Sequence, residues 1–303
     1  MFPADRKMRF DVLTLFPEMI TPVIQVSILK RAQEKGLATI RVHPLRDYTT
    51  DKHRVTDDSP YGGGAGMVLK PEPIFAAIDA IRAESECRAL PARARGVGAS
   101  EDPSPCVTAR APTDRKDDVL RVLLASPQGR VFDQKWAEEM SQERRRLVLV
   151  CGRYEGVDER VKVGLDAEEF SIGDYVLTGG ELPALVVLDS VVRLIPGVLG
   201  DPDSPCQESF NDDLLEHPHY TRPFIFRGMA VPEILLSGDH GQIARWRRQQ
   251  ALWSTFRKRP DLFQKLMRME RITRGDEELL DEVNIQNDKN ELGERGKLHE
   301  SDD

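Results

Sequence analysis

The segment Ser171-Ile-Gly-Asp-Tyr-Val-Leu-Thr-Gly-Gly-Glu181 runs directly into the apolar stretch Leu182-Pro-Ala-Leu-Val-Val-Leu188. Neither a plain strand nor a plain helix fits the first part. Gly173, Gly179 and Gly180 mark places where the backbone turns sharply or admits another group closely. Glu181 and Pro183 then stand where a helix begins, and the apolar run carries that helix into a core. A glycine-rich bend feeding a buried helix offers main-chain N–H and C=O groups to a small polar ligand.

Two further junctions of the same kind precede it. Val122-Leu-Leu-Ala125 reads as a short buried strand that runs into Ser126-Pro-Gln-Gly-Arg130, and Leu147-Val-Leu-Val-Cys151 as another that runs into Gly152-Arg-Tyr-Glu-Gly156. In an open α/β sheet, ligands bind where such loops gather at the carboxyl ends of strands. Three loops of this composition point to one pocket.

Outward from these junctions the chain reads as α/β with a mostly parallel sheet. A strand over 10–16, a helix from Thr21 to Lys35 closed by Gly36, and a strand over 37–42 open it; a helix follows at about Pro73 to Ala83. Residues 84–117 lack apolar periodicity and read as a surface insertion in a first domain spanning 8–200. A linker is expected at 201–215 and a small helical C-terminal domain at 216–275, broken at Pro260-Asp261. The tail at 276–303 reads as acidic and disordered.

Composition limits the partners. The chain of 303 residues is 40% apolar and 31% charged, the profile of a soluble globular protein, and no apolar run approaches the ~20 residues of a membrane span. Met1 to Met8 lacks the apolar region of a secretory signal, so a cytoplasmic protein is expected. Cys87, Cys106, Cys151 and Cys206 lack metal-ligand spacing, and His217 and His219 lack an evident third ligand, so no metal site is assigned. The net charge of −8 is concentrated: residues 276–303 hold eleven acids against three bases, which leaves the other 275 residues balanced. Within that neutral body, the segment 241–259 carries Arg245, Trp246, Arg247, Arg248, Trp253, Arg257, Lys258 and Arg259 without one acid. Bases interleaved with tryptophans suit a surface that tracks phosphates and stacks on unpaired bases. Gly62-Gly-Gly-Ala-Gly66 lacks the Gly-Lys-Ser/Thr ending of a P-loop, which disfavours nucleoside triphosphate chemistry.

Pro60-Tyr-Gly-Gly-Gly-Ala-Gly-Met67, Ser126 to Arg130, Cys151 to Arg160, Ser171 to Pro183, Ile195-Pro-Gly-Val-Leu-Gly200 and Pro218-His-Tyr-Thr-Arg-Pro223 together resemble the bacterial tRNA (guanine-N1)-methyltransferases, of the SPOUT class of S-adenosylmethionine enzymes. The resemblance runs from Phe10 to about Leu262. It implies a parallel α/β domain with a deep trefoil knot, which no sequence pattern reveals. It also implies a homodimer with active sites at the interface, and tRNA gripped at the anticodon stem-loop by Arg245, Trp246, Arg247 and Arg248. Cofactor contacts carried over by position are Ser126, Pro127, Gln128, Gly152, Tyr154, Glu155, Ser171, Ile172, Gly173, Asp174, Tyr175, Val176, Leu177, Gly179 and Gly180. Glu208 takes the place of the general base, where the family usually has aspartate, and Arg193 that of the cation facing the developing charge. The implied reaction methylates N1 of the guanosine just 3′ of the anticodon. A magnesium requirement also comes with the resemblance, and no ligand set for it is apparent. A non-catalytic RNA-binding protein and a methyltransferase directed at ribosomal RNA or a ribose hydroxyl are the competing readings. The former predicts RNA binding without cofactor binding; the latter has no need of a base at Glu208.

Overall fold

The computed structural model describes residues 7–89, 120–200, 208–210 and 213–282. The expected insertion from residue 90 onward, most of the expected linker and the tail from residue 283 lie outside them. The chain divides into two compact units, Met1–Pro202 and Asp203–Asp303.

In the first unit, β1 (Met8–Thr14) is followed by α1 (Pro17–Ile24), α2 (Ser27–Glu34) and β2 (Ala38–Pro44). The sequence predicts one helix over this region. The structure has two, because Ser27 takes a left-handed φ of 50° that no continuous α-helix accommodates. A short antiparallel pair, β3 (Asp57–Asp58) with β4 (Val68–Leu69), brackets the loop of glycines 62–66. Next, α3 (Pro71–Ala89) overruns its expected end, so residues 84–89 belong to a helix and not to a surface insertion.

The remaining elements of this unit are β5 (Leu120–Val131), α4 (Gln134–Ser141), β6 (Arg146–Val150), α5 (Glu159–Leu165), β7 (Glu168–Ser171) and α6 (Glu181–Val192). The five-stranded sheet has the order β2-β1-β6-β5-β7, and every pairing in it is parallel. The expected α/β class with a parallel sheet is therefore observed. Its strands read as near-continuous apolar runs because both faces are covered. One face packs against α1, α2, α4 and α6 through Ile20, Leu29, Trp136, Met140, Val187 and Leu188. The other packs against α3 and α5 through Ile74, Ile78, Ile81, Val161 and Leu165.

A charge is buried within this sheet. Asp11 on β1 is fully inaccessible, accepts from Arg146 Nη2 at 2.6 Å and sits 2.7 Å from His43 Nε2. Arg146 also reaches Glu84 on α3, at 3.3 Å. Each side chain answers another's charge, which is the condition for carrying carboxylate and guanidinium into a core.

In the second unit, β8 (Ile225–Phe226) and β9 (Met229–Ala230) form a hairpin, followed by α7 (His240–Lys258), α8 (Pro260–Arg268) and α9 (residues 274–282). Asp239 caps α7, accepting from the amides of Gly241 and Gln242 at 3.0 Å each. Leu214, Leu252, Leu266 and Leu279 form the small core. α9 corrects the expectation of a disordered tail from residue 276. Its acids are not all solvated: Asp276 is buried, bonded to Thr273 and Arg248, while Leu279 supplies core area.

Candidate cofactor pocket and basic surface

The three glycine-rich segments meet at a bulge in β5 and at the carboxyl ends of β6 and β7. The first is not a loop after a strand, as the sequence suggests, but a bulge within one. Ala125 and Arg130 of β5 both pair with Phe170 of β7, so Ser126 to Gly129 are pushed out of the ladder. The second segment leaves β6 at Cys151. It is tied to the loop of glycines behind it, because Glu155 N donates to Met67 O and Leu69 N to Gly156 O, each at 3.0 Å. In the third, Ser171 Oγ donates to Gly173 O at 3.0 Å, and Tyr175 Oη donates to Ile172 O at 3.2 Å. These short-range bonds hold the turn ahead of α6.

Gly180 closes the junction. Its N–H donates to Gly152 O at 2.9 Å. A β-carbon there would lie 2.7 Å from Cys151 Cα and 2.9 Å from both Ala125 Cβ and Gly152 N. Its φ of −84° is one any residue adopts, so the need for glycine here is one of space. The three segments thereby approach as main chain against main chain.

Between them lies a cavity of about 240 Å³. Every sequence-predicted cofactor contact lines it except Gln128 and Asp174. Ala125, Arg153, Gly156, Phe170, Thr178 and Pro183 line it as well. Ile172, Val176, Leu177 and Pro183 supply apolar wall, while Ser126, Ser171, Thr178 and Glu155 supply polar groups. An apolar cleft with a few convergent polar groups fits a nucleoside-sized ligand carrying charged substituents. Cys151, at the base of the site, is fully buried; desolvation, and next the carboxylate of Glu181, push its thiol well above the usual range. It is held neutral and unreactive.

Arg193 caps the C-terminal end of α6, its amide donating to Asp189 O at 3.3 Å, where a cation is favoured by the helix dipole. Glu208 is half-buried and belongs to the second unit, beside Ser209, whose Oγ accepts from the amide of Glu216 at 2.9 Å. The sequence could not distinguish Glu208 from surface decoration without the family's motif. Arg153 was visible only as part of its loop, since its charged partner stands 28 positions further along the chain.

On the basic helix the four expected RNA contacts separate. Arg245 pairs with Glu282 at 2.7 Å, and Arg248 with the buried Asp276 at 2.9 Å, so both face acids of α9. Arg247 has no carboxylate partner among the described residues. Trp246 lies 6.3 Å from Tyr220, ring centre to ring centre. Nearby, burial, then His219 and Arg247, lower the His217 pKa, favouring the neutral imidazole. Among the described residues, no group of three or more His, Cys, Asp or Glu side chains gathers to hold a metal. No described helix is long and apolar enough to cross a membrane.

Comparison with known proteins agrees with the motifs. Residues 8–265 match the family model described as tRNA (Guanine-1)-methyltransferase TrmD. A tRNA (guanine-N(1)-)-methyltransferase of Dictyoglomus turgidum is 51% identical over 276 residues, covering 91% of this chain and 96% of the relative. Proteins of the same name from Geobacter metallireducens and Bacillus cereus are each 50% identical over 258 residues, 85% of this chain, and are covered over 92% and 93% of their lengths.

Proposed function

The chain belongs to the tRNA (guanine-1)-methyltransferase family, and from that premise we propose that it methylates N1 of the guanosine immediately 3′ of the anticodon, position 37, with S-adenosylmethionine as donor. The observation that carries this reading is the convergence of the segments 125–127, 152–156 and 170–180 on one cavity in a chain matched by the family over residues 8–265.

In this reading the cavity holds the donor. When bound, S-adenosylmethionine supplies an activated methyl group on its sulfonium. The main-chain groups of the segments around Gly152 and Gly179 would hold its adenine, with Ile172, Leu177 and Pro183 as apolar wall. Guanine N1 carries a proton at neutral pH, and its lone pair becomes available only as that proton leaves. Glu208 takes the proton as general base. Arg193 offsets the negative charge that builds on O6 as it does so. Glutamate in place of the family's usual aspartate extends the carboxylate by one methylene. For the magnesium requirement that comes with the resemblance, the described residues show no group of three or more His, Cys, Asp or Glu side chains that marks a site.

Arg193 belongs to the first unit and Glu208 to the second. The family resemblance supports a trefoil knot through the cofactor segments, a helical C-terminal domain, and a homodimer with active sites between subunits. The anticodon stem-loop is gripped by the second unit, and the target base is splayed out of its loop for methylation. Arg247 and Trp246 contact RNA there; Arg245 and Arg248 exchange carboxylate for phosphate only if α9 yields. With tRNA as substrate, the protein works in the cytoplasm.

Substitution of the base tests the assignment. Glu208→Gln is expected to keep S-adenosylmethionine binding in calorimetry and to lose turnover by about 100-fold or more. Full activity in that variant removes Glu208 from the mechanism.

A further inference from the structure

Among the cavity residues, Arg153 has a side chain that joins the segment after β1, the wall at Thr178 and the start of α6. Its guanidinium carbon sits 4.4 Å above the ring of Phe16, just after β1. Its Nη1 donates to Thr178 O at 3.2 Å, and its backbone forms an antiparallel bridge with Gly179. Its Nε lies 2.9 Å from Oε2 of Glu181, the first residue of α6. Glu181 is fully buried, and its other oxygen accepts from Thr14 Oγ1 at 2.7 Å. A chain of polar contacts thus runs from the end of β1 through Glu181 and Arg153 to the wall formed by Thr178 and Gly179.

This pair is not an ordinary stabilising salt bridge. Arg153 Nε and Glu181 Oε2 are close, yet neither makes an aligned hydrogen bond among the described residues. The Glu181 carboxylate is fully buried, the Arg153 side chain is 13% exposed, and desolvating such a pair generally costs as much as its attraction returns. The pair also lies directly beneath Gly179, where a β-carbon would stand 2.6 Å from Glu181 Oε2. Two opposite charges held there draw the segment 152–156 and the segment 177–180 to one separation. Stability gives little reason for that arrangement; the width of the cavity gives a direct one.

We propose that Arg153 is a positioning residue for the methyl donor, its clamp on Glu181 setting the gap between the two cavity walls. The inference rests on the reading of the cavity as the S-adenosylmethionine site. Removing one charge leaves the other buried without a partner and lets the walls part, whereas removing both leaves no buried charge uncompensated.

The test titrates the full-length protein with S-adenosylmethionine and measures KM and kcat on tRNA for Arg153→Gln, Glu181→Gln, the double Gln/Gln variant and Arg153→Lys. Each single glutamine variant is expected to weaken cofactor binding and raise its KM about tenfold or more, a coupling typical of contacting charges. At saturating cofactor kcat should fall by less than about threefold, the signature of lost uniform binding. The double variant should recover most of the lost affinity. Single variants that bind as tightly as the unsubstituted protein, or a double variant in which the two losses add, overturn the proposal. If the glutamine singles do not fold, Arg153→Lys decides: it retains the charge that answers Glu181, so cofactor KM should stay within about threefold, and a KM raised about tenfold or more overturns the charge clamp. An unsubstituted protein that fails to bind S-adenosylmethionine refutes the cavity reading and this inference together.

Discussion

Replacement of Gly180 by alanine is the sharpest test of how the cavity is built. The new β-carbon would stand 2.7 Å from Cys151 Cα and 2.9 Å from Ala125 Cβ and Gly152 N. Unstrained carbon contacts lie at about 3.5–4.0 Å, so the junction must open by roughly 1 Å. None of the three atoms can rotate away, since two are main chain and the third is a β-carbon on β5. Overpacking of this kind costs about 1–3 kcal/mol, and the rigidity of the partners places Gly180→Ala near the top of that range. For a unit of this size the melting temperature should fall by roughly 5–10 °C. Because the gap opens between two cavity walls, S-adenosylmethionine affinity should drop with it, about tenfold for each ~1.4 kcal/mol of binding energy lost. Gly200→Ala is the matched control. Its β-carbon meets nothing within 4 Å, and it should melt within about 0.5 kcal/mol of the unsubstituted protein. Thermal unfolding by circular dichroism, paired with calorimetric titration, reads both effects. If Gly180→Ala melts and binds like Gly200→Ala, the close-approach argument is refuted.

Other consequences are as specific. Arg247→Ala should weaken tRNA binding and lower its salt slope by about 1, as one lost phosphate contact does; an unchanged slope removes Arg247 from the interface. Arg248→Ala leaves the buried Asp276 short of its cation and should destabilise the second unit by about 1–2 kcal/mol, a figure reduced because Arg248 is 39% exposed. Denaturant melts followed by Trp fluorescence would show it. Burial raises the pKa of Glu143, but bonds from Arg145 and from the amides of residues 144 and 145 outweigh that and lower it to about 2. A carboxyl depressed on folding stabilises above its ordinary pKa, and that contribution fades as pH falls toward 2. The stability difference between the unsubstituted protein and Glu143→Gln should therefore hold steady near neutrality and shrink between about pH 4.5 and 2. A difference independent of pH contradicts the charge-based account.

Much of the region around the cavity was legible because its signals are local. Apolar runs ending in Gly, Pro and polar residues predicted β6 and α6 near their observed bounds, and predicted that their loops belong together. The bulge in β5 was not legible, because the pairing of both Ala125 and Arg130 with Phe170 depends on a strand some 40 positions away. The break at Ser27 escaped because serine carries no intrinsic left-handed preference, so nothing local marks its φ of 50°. α9 was hidden by composition. Its acids pattern like a solvated tail until Arg245 and Arg248 appear opposite Glu282 and Asp276. The clamp between Arg153 and Glu181 joins two loops that each look complete alone, so only the three-dimensional arrangement exposes it.

The most direct test of the central claim is methyl transfer from labelled S-adenosylmethionine to two tRNA transcripts that differ only in the base after the anticodon. The account predicts label on the guanosine transcript, recovered as N1-methylguanosine, and none above background on the adenosine transcript. Equal incorporation into both would contradict it.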